Sequence, residues 1–206
     1  MKNLKLKDLK LNNEMAMIYR FDELELEITI VNADETGKLE EVCSDSFLCP
    51  EHDMYGDDYE ADEDELQPRL NEIVASDLDA YMMDKYLREL GIFGESEQDE
   101  EAFYNLHQSE SAVREELRHS NVAHIMYKNW YLEITEEYPI ERFEKLFKPI
   151  LHRNDSFMEN FLKGNGICVD DISKVILTGS ECEYPFVRAH LEHILGRKCI
   201  HMKNQI

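Results

Sequence analysis

The segment that most constrains the fold lies near the end of the sequence. A short apolar run, Val175–Leu177, is rich in β-branched residues and stops at Thr178-Gly179, which predicts a buried strand. Pro185 then begins a predicted helix, and Gly196 ends it. The apolar positions of this helix recur at helical spacing: Phe186, Val187, Leu191, Ile194 and Leu195. A strand, a glycine turn and a proline-led helix form a common α/β unit, which by itself does not indicate a function.

The residues of this unit are more specific than its pattern. The segment Val175–Arg188, with Thr-Gly-Ser followed by Tyr-Pro-Phe-Val, resembles the adenosine motif of DnaK-type heat-shock chaperones, V-x-L-V-G-G-S-x-R-I-P-x-V. Three upstream segments resemble other parts of that family in the same order. They are Asp77–Leu87 (D-F-D-x-x-L), Ser120–Tyr127 (S-x-x-x-A-x-I-x-I) and Ile140–Phe147 (I-T-R-x-x-F-E-x-L). The chain therefore resembles the second lobe of a DnaK-like nucleotide-binding domain.

This resemblance implies an α/β fold, an actin-like ATPase (ribonuclease H-like) lobe with a mixed sheet, helices and a smaller α+β outer subdomain. Residues 1–47 and 135–206 would form the inner subdomain, and 48–134 the outer subdomain, with an acidic insert over about 48–76. The family's first lobe is not represented in this sequence. Because the family holds ATP between its two lobes, we expect at most half a site, in either a fragment of a longer protein or a free-standing relic.

The family's phosphate loop, D-L-G-G-G-T-F-D, aligns without a gap with Arg20–Glu27. Asp22, Glu23 and Leu24 replace its three glycines, and Glu25 follows them. Glycine-rich loops bind phosphate because their backbones approach the anion closely and direct several N–H groups at it. Arg20 replaces the aspartate that helps to hold the metal ion in the family. We therefore expect a tight hairpin here instead of a phosphate loop.

The adenosine motif is also altered. Gly179 remains, but Ser180 replaces the second glycine, and Glu183 replaces the arginine that lies against adenine in the family. In the helix before Ser120, Arg114 keeps the charge of the family's basic purine-site positions, and Glu115 does not. These positions predict a vestigial nucleotide site without a catalytic residue, a metal or a cofactor. The favoured function is a non-catalytic, DnaK-like interaction module. The alternative is an ATP-binding lobe of an active chaperone, completed by a first lobe elsewhere, with ATP or ADP as its ligand.

Charge limits the classes of partner. The formal net charge is -23 and the isoelectric point is about 4.6, which disfavours nucleic acid and anionic membranes. Nine acidic residues and no lysine or arginine lie in Glu51–Glu65. We expect a solvated loop there, with a docking strip for a basic protein partner and a weak calcium loop as the other interpretations. Five cysteines without CxxC spacing, no membrane-length apolar run and no signal peptide favour a cytoplasmic protein with reduced thiols.

The remaining pattern predicts an antiparallel meander followed by helices and a hairpin. The predicted strands are Met15–Tyr19, Leu24–Val31 and Lys38–Cys43, and the predicted hairpin strands are Val122–Tyr127 and Trp130–Ile134, with Lys128-Asn129 as the turn. The segment 4–11 fits a strand or a helix. The predicted helices are Leu78–Leu90, with Asp77 as N-cap, then Ala102–Leu117, and Ile140–Leu151, with a kink or break at Pro149. Gly94–Glu101 is predicted to be an acidic connection.

Two side-chain types could suggest further chemistry. His190 and His193 lie three residues apart on one predicted helix, but without a third ligand we expect surface histidines. Cys182 lies in the glycine turn, and the neighbouring Glu181 and Glu183 should raise its pKa and suppress the thiolate.

Overall fold

The computed structural model describes residues 13–36, 38–48, 70–92, 96–196 and 199–201. Contacts divide the chain into two compact units, Met1–Pro50 with Ile150–Ile206, and Glu51–Pro149. We call them the first and the second unit. Segment 4–11, Cys49 and the acidic segment Glu51–Glu65 lie outside the described residues.

The first unit is built on a mixed five-stranded sheet in the order β3-β2-β1-β6-β7. Its strands are β1 (Met15–Asp22), β2 (Glu25–Ala33), β3 (Leu39–Leu48), β6 (Ile172–Thr178) and β7 (Cys199–His201). β1 to β3 form the predicted antiparallel meander, whereas β6 pairs parallel with both β1 and β7. The predicted mixed α/β sheet is thus confirmed. β7 was not predicted, because a strand of three residues is too short to show an alternating pattern.

The predicted helix after Gly179 is confirmed as α5 (Pro185–Leu195), and Gly196 ends it in the left-handed conformation, at φ 62°. Of the kink or break expected at Pro149, the break is wrong, because α4 runs without interruption from Ile140 to Gly164. Proline removes one backbone hydrogen bond from a helix. Phe147, Ile150 and Leu151 on either side of it are all buried, so packing of the apolar face holds the helix together.

The second unit contains the remaining helices and a two-stranded antiparallel sheet. The elements are α1 (Leu70–Met82), a π-helical turn (Met83–Leu87), α2 (Glu97–Gln108), α3 (Glu110–Leu117), β4 (Val122–Lys128) and β5 (Glu133–Pro139). By contacts, β5 and the start of α4 group with this unit. The sequence-based division into inner and outer subdomains stays a prediction.

Asp77 is not the N-cap that the sequence suggested, because α1 is already helical at Leu70. Instead its carboxylate lies inside the unit and binds Arg142 through two hydrogen bonds of 2.6 and 2.7 Å. It also accepts a hydrogen bond of 2.5 Å from the hydroxyl of Tyr138. An aspartate before an apolar stripe is typical of an N-cap, but the same side chain serves equally well as a long-range ion-pair partner.

Three other boundaries differ from the expectation. The connection predicted over Gly94–Glu101 is helical from Glu97, because the Ser96 side chain caps α2 by accepting the backbone N–H of Asp99 at 3.2 Å. The helix predicted over Ala102–Leu117 ends and restarts at Ser109, whose hydroxyl donates to the carbonyl of Leu106 at 2.6 Å. The turn between β4 and β5 is longer than Lys128-Asn129 and spans 129–132.

Candidate functional site

The two altered nucleotide motifs meet at one edge of the sheet in the first unit. β1 and β6 are parallel and paired in register through Arg20 and Thr178, so both strands end at the same edge. The hairpin that follows β1, here called the first hairpin, and the turn at 179–183 that follows β6 are therefore neighbours. Loops at the carboxyl ends of parallel strands are where α/β proteins bind ligands.

Gly179 is the point of closest approach between these loops. Its φ is +94°, and a Cβ atom at this position would lie 2.2 Å from the carbonyl oxygen of Phe21. No other residue fits such a contact, because the obstructing atoms belong to the backbone of β1. The glycine that the resemblance assigned to adenosine binding therefore has a packing reason to be there that needs no nucleotide.

Asp22 joins the two loops directly. Its Oδ1 accepts the backbone N–H of Ser180 at 2.7 Å and the Ser180 hydroxyl at 3.2 Å. Its Oδ2 accepts Nε of Arg20 at 2.8 Å, and Arg20 reaches Glu27 at 3.2 Å. A backbone N–H in a glycine turn is a donor that phosphate sites commonly use. Here a carboxylate of the chain itself already occupies that donor.

The first hairpin is tight, as expected, and closes with two residues between Asp22 and Glu25, fewer than the four left between the predicted strands. Glu23 has φ 54°, and Leu24 is not among the residues with positive φ, which fits a type II′ turn. Such a turn usually has glycine where Glu23 stands. The Leu24 side chain is 7% exposed and packs into the core, whereas Glu23 and Glu25 are exposed. The turn thus carries bulk and negative charge at the positions aligned with the phosphate-loop glycines.

The Hsp70 protein family matches residues 73–205, more than half of the sequence. The chain belongs to the Hsp70 family. A chaperone protein DnaK from Picrophilus torridus is 29% identical to it over 126 residues, which are 57% of this chain and 20% of that relative. The chain therefore spans about a fifth of the length of the curated relative it matches. The expected DnaK-type relationship and the lobe fold are confirmed, and the matched range begins after the first hairpin.

Arg114, the remaining predicted site residue of this Hsp70 chain, belongs to the second unit. It lies in α3 and is only 7% exposed. An arginine is rarely buried to this extent unless partners surround its charge. Its exposure alone therefore fits a structural role inside the second unit, and its assignment to the purine site stays a prediction.

Cys182 lies in the 3₁₀ helix Glu181–Glu183 and is 2% exposed. Burial raises the pKa of its thiol well above the usual value, and the nearby Asp22 and Glu181 carboxylates raise it further. From the sequence, Glu181 and Glu183 were expected to raise this pKa. In the structure burial comes first, and the thiol lies 3.9 Å from the carbonyl oxygen of Tyr19, to which it donates. Cys182 is therefore an inert core residue.

His119, His124, His190 and His193 could suggest a metal site, and the first three of them lie beside a carboxylate. His190 lies 2.9 Å from Asp155, and His124 lies 2.7 Å from Glu116. His119 is 3.6 Å from Glu115. Within the described parts of the chain, no group of three or more histidine, cysteine or acidic residues is arranged to hold a metal ion. Among the same residues, no helix has the length and hydrophobicity of a membrane span.

The contact between Asp22 and Ser180 was not foreseen from the sequence. The alignment indicated that Asp22 would repel phosphate, but it did not indicate which group Asp22 binds. The two residues are 158 positions apart, and only the parallel pairing of β1 with β6 brings them together. Two substitutions together could have suggested the contact. They are an acidic residue in place of a glycine in the first motif, and a serine in place of a glycine in the second.

Proposed function

We propose that this chain is a non-catalytic, DnaK-like interaction module whose nucleotide site has been replaced by contacts within the protein. The observation that carries the proposal is the hydrogen bond from the Ser180 N–H to Asp22 Oδ1 at 2.7 Å. A phosphate that used this donor would have to displace a carboxylate that is also ion-paired with Arg20. The glycine turn is therefore satisfied without a ligand.

Charge adds to this argument. Two like charges about 4 Å apart near a protein surface repel by roughly 4 kcal/mol at an effective dielectric constant of 20. A nucleotide bound with a dissociation constant of about 100 μM gains only about 5.5 kcal/mol. Repulsion from Asp22, Glu23 or Glu25 is thus comparable to the whole binding energy, before the missing glycine N–H groups are considered.

Isothermal titration calorimetry of the chain with ATP or ADP and Mg²⁺ tests the proposal. We expect no binding tighter than about 100 μM. Asp22→Gly is the informative second sample, because it frees the Ser180 N–H and also removes the carboxylate that pairs with Arg20. Saturable binding to the unmodified chain, abolished by competition with the other nucleotide, would refute the proposal.

A second candidate function is an ATP-binding lobe that is completed by a first lobe outside this sequence. It is favoured by the small share of the relative's length that the chain covers. Its test is a longer version of the chain that includes any preceding residues. ATP hydrolysis that is lost on substitution of Arg20 or Glu183 would establish this second function.

For the interaction itself we propose a basic protein partner that docks on the acidic segment Glu51–Glu65. The support is the net charge of -23 and the nine acidic residues of that segment. Nucleic acid and anionic membrane are disfavoured as partners by the same charge. A cytoplasmic location completes this proposal. Association that weakens steeply with ionic strength, and that is lost on deletion of Glu51–Glu65, is the expected result.

A further inference from the structure

The second hairpin, formed by β4 and β5, presents two aromatic side chains to solvent. Trp130 is 78% exposed and Tyr131 is 55% exposed. Their rings pack edge to face with centroids 4.8 Å apart. Trp130 is also the chain's one tryptophan. We call these two residues the aromatic tip.

The loop that carries the aromatic tip is held by the side chain of Asn129. Its Oδ1 accepts the backbone N–H of Tyr131 at 3.2 Å and that of Leu132 at 2.8 Å. A backbone bond of 2.9 Å from the N–H of Asn129 to the carbonyl of Leu132 closes the loop. Asn129 Nδ2 donates to Asp99 at 2.9 Å. These bonds fix the backbone on both sides of Trp130.

Asp99 anchors this arrangement in the protein interior. It is 8% exposed and also accepts the hydroxyls of Tyr127 at 3.0 Å and of Ser96 at 2.6 Å. Hydrogen bonds, that from Ser96 first, hold the pKa of Asp99 below its usual value, so the carboxylate is ionised at neutral pH. A loop with this support presents its aromatic side chains with little entropy left to lose on binding.

The charges around the tip indicate what it binds. Asp99 lies in the first turn of α2, which also contains Glu97 and Glu100, both exposed. Exposed tryptophan and tyrosine faces attract lysine and arginine cations, tryptophan most strongly. Asp99 bonds the loop directly, and the exposed carboxylates of its helical turn add long-range attraction for the same cations. We propose that the aromatic tip and the first turn of α2 form a docking surface for an arginine- or lysine-rich segment of a partner protein.

The same observations disfavour the other occupants. A second copy of the chain would bring another net charge of -23 to the surface, and an anionic membrane would be repelled likewise. Aromatic and arginine side chains are the ones that most often dominate protein interfaces. The surface lies within the second unit, so this proposal does not depend on whether the first unit binds ATP.

Trp130 gives a direct readout because no other tryptophan contributes fluorescence. Deca-arginine serves as the probe, with deca-glutamate as the control peptide. We expect deca-arginine to change the intensity or the emission maximum of Trp130 saturably, and the change to weaken as salt increases. Saturable binding without any change at Trp130 would show that the probe binds elsewhere, such as Glu51–Glu65, and would overturn the proposal.

Calorimetry with matched variants separates the aromatic tip from general acidity. Trp130→Ala keeps the net charge, and we expect it to weaken deca-arginine binding by about fivefold or more. Ile194→Ala, which truncates an exposed apolar side chain of the first unit, should leave the affinity unchanged. Glu97→Gln with Glu100→Gln should weaken binding further. Circular dichroism verifies that each variant is folded.

Equal affinities of the Trp130→Ala and the unmodified protein would contradict the proposal. So would tighter binding of the unmodified protein to vesicles containing phosphatidylserine than to deca-arginine. Asn129→Ala provides a second route, because it loosens the loop without touching the aromatic rings or the charge. Weaker binding in this variant, with Trp130 fluorescence still responsive at high peptide concentration, is the expected result.

Discussion

The two hairpins of this chain are held by similar hydrogen bonds but differ in what their turns expose to solvent. In each, a residue at the end of the first strand bonds to a segment far away in the sequence. Asp22 of the first hairpin accepts the N–H of Ser180, 158 residues away, and Asn129 of the second donates to Asp99, 30 residues away. The first hairpin buries Leu24 at its turn, whereas the second exposes Trp130.

This difference indicates which of the two hairpins has groups that are still open to a ligand. In the first hairpin the carboxylate is directed at the backbone donor of a glycine turn, so the donor is already used. In the second hairpin the carboxylate is buried beneath the loop, and the aromatic faces remain open to solvent. A site satisfied from within favours stability, and a fixed but uncovered surface favours association.

The largest effect is expected from Gly179→Ala. The new Cβ would meet the carbonyl oxygen of Phe21 at 2.2 Å in a backbone conformation that alanine seldom adopts. We expect a loss of about 3 kcal/mol or more in the free energy of unfolding. Gly196→Ala is the matched control, because its φ is also positive but nothing lies near its Cβ. It should cost about 1 kcal/mol. Similar losses in urea unfolding of the two variants would contradict the close approach.

The next effect concerns the anchor of the second hairpin. Asp99→Ala would leave the Tyr127 hydroxyl and the Asn129 amide without their buried acceptor. We expect a loss of about 2–3 kcal/mol in the free energy of unfolding and a changed Trp130 emission. Glu100→Ala, an exposed neighbour in the same helical turn, should change stability by less than about 0.5 kcal/mol. A difference between these variants of less than about 1 kcal/mol would mean that Asp99 does not anchor the loop.

Low pH should reduce the stability that Asp99 contributes to the folded protein. Because hydrogen bonds lower the pKa of Asp99 in the folded state, its ionised form contributes stability above the unfolded pKa of about 3.9. That contribution is lost as the pH falls through the lower folded pKa. We expect the stability difference between the unmodified protein and Asp99→Asn to be constant from about pH 7 to pH 5 and to shrink below about pH 4. A difference that stays constant down to pH 2 would contradict the lowered pKa.

The parts of the fold that sequence predicted best are those with local causes. A few neighbouring residues were enough to predict three such segments. They are the strand at Val175–Leu177, the turn at Gly179 and the helix that begins at Pro185. The same holds for the alternating pattern predicted over Leu24–Val31, nearly all of which lies in β2. Local propensity and tertiary packing favour the same secondary structure in these segments. Their secondary structure could therefore be predicted from the sequence.

The errors share a different cause. Asp77 resembles an N-cap until Arg142 and Tyr138, more than sixty residues on, bind it. Pro149 indicated a kink or break and Ser109 indicated neither, but the helix ends at Ser109 and continues through Pro149. The candidate site follows this rule too. Sequence indicated which glycines were replaced, but the partner of Asp22 depended on strand pairing that no short pattern encodes.

A smaller effect is expected at the first hairpin. Asp22→Ala removes the acceptor of the Ser180 N–H and the ion-pair partner of Arg20. The side chain is 30% exposed, so water can replace part of these contacts, and we expect a loss of about 1 kcal/mol. Glu25→Ala, across the hairpin, should change stability by less than about 0.5 kcal/mol. If the two losses in urea unfolding are equal, Asp22 is not what joins the loops.

The smallest effect, none within detection, is expected when the phosphate-loop glycines are restored. In the triple variant Asp22→Gly, Glu23→Gly, Leu24→Gly the Ser180 N–H is free and the turn can approach an anion. We still expect no ATP binding tighter than about 100 μM by calorimetry. Glu25 and Glu183 keep negative charge beside the site, and Arg20 still stands where the family has its metal-holding aspartate.

The triple variant must be folded for this result to count, and loss of the buried Leu24 side chain should cost about 2 kcal/mol of stability. Leu24→Ala alone is therefore the matched control, since it loses most of the same apolar contact and keeps both carboxylates. Clear ATP binding in the triple variant, absent from Leu24→Ala and from the unmodified chain, would show that the first hairpin alone blocks the nucleotide. The first hairpin would then resemble the second, because it too would have a surface able to bind a ligand. The difference between the two hairpins would come only from the side chains of Asp22 and Glu23, which block that surface.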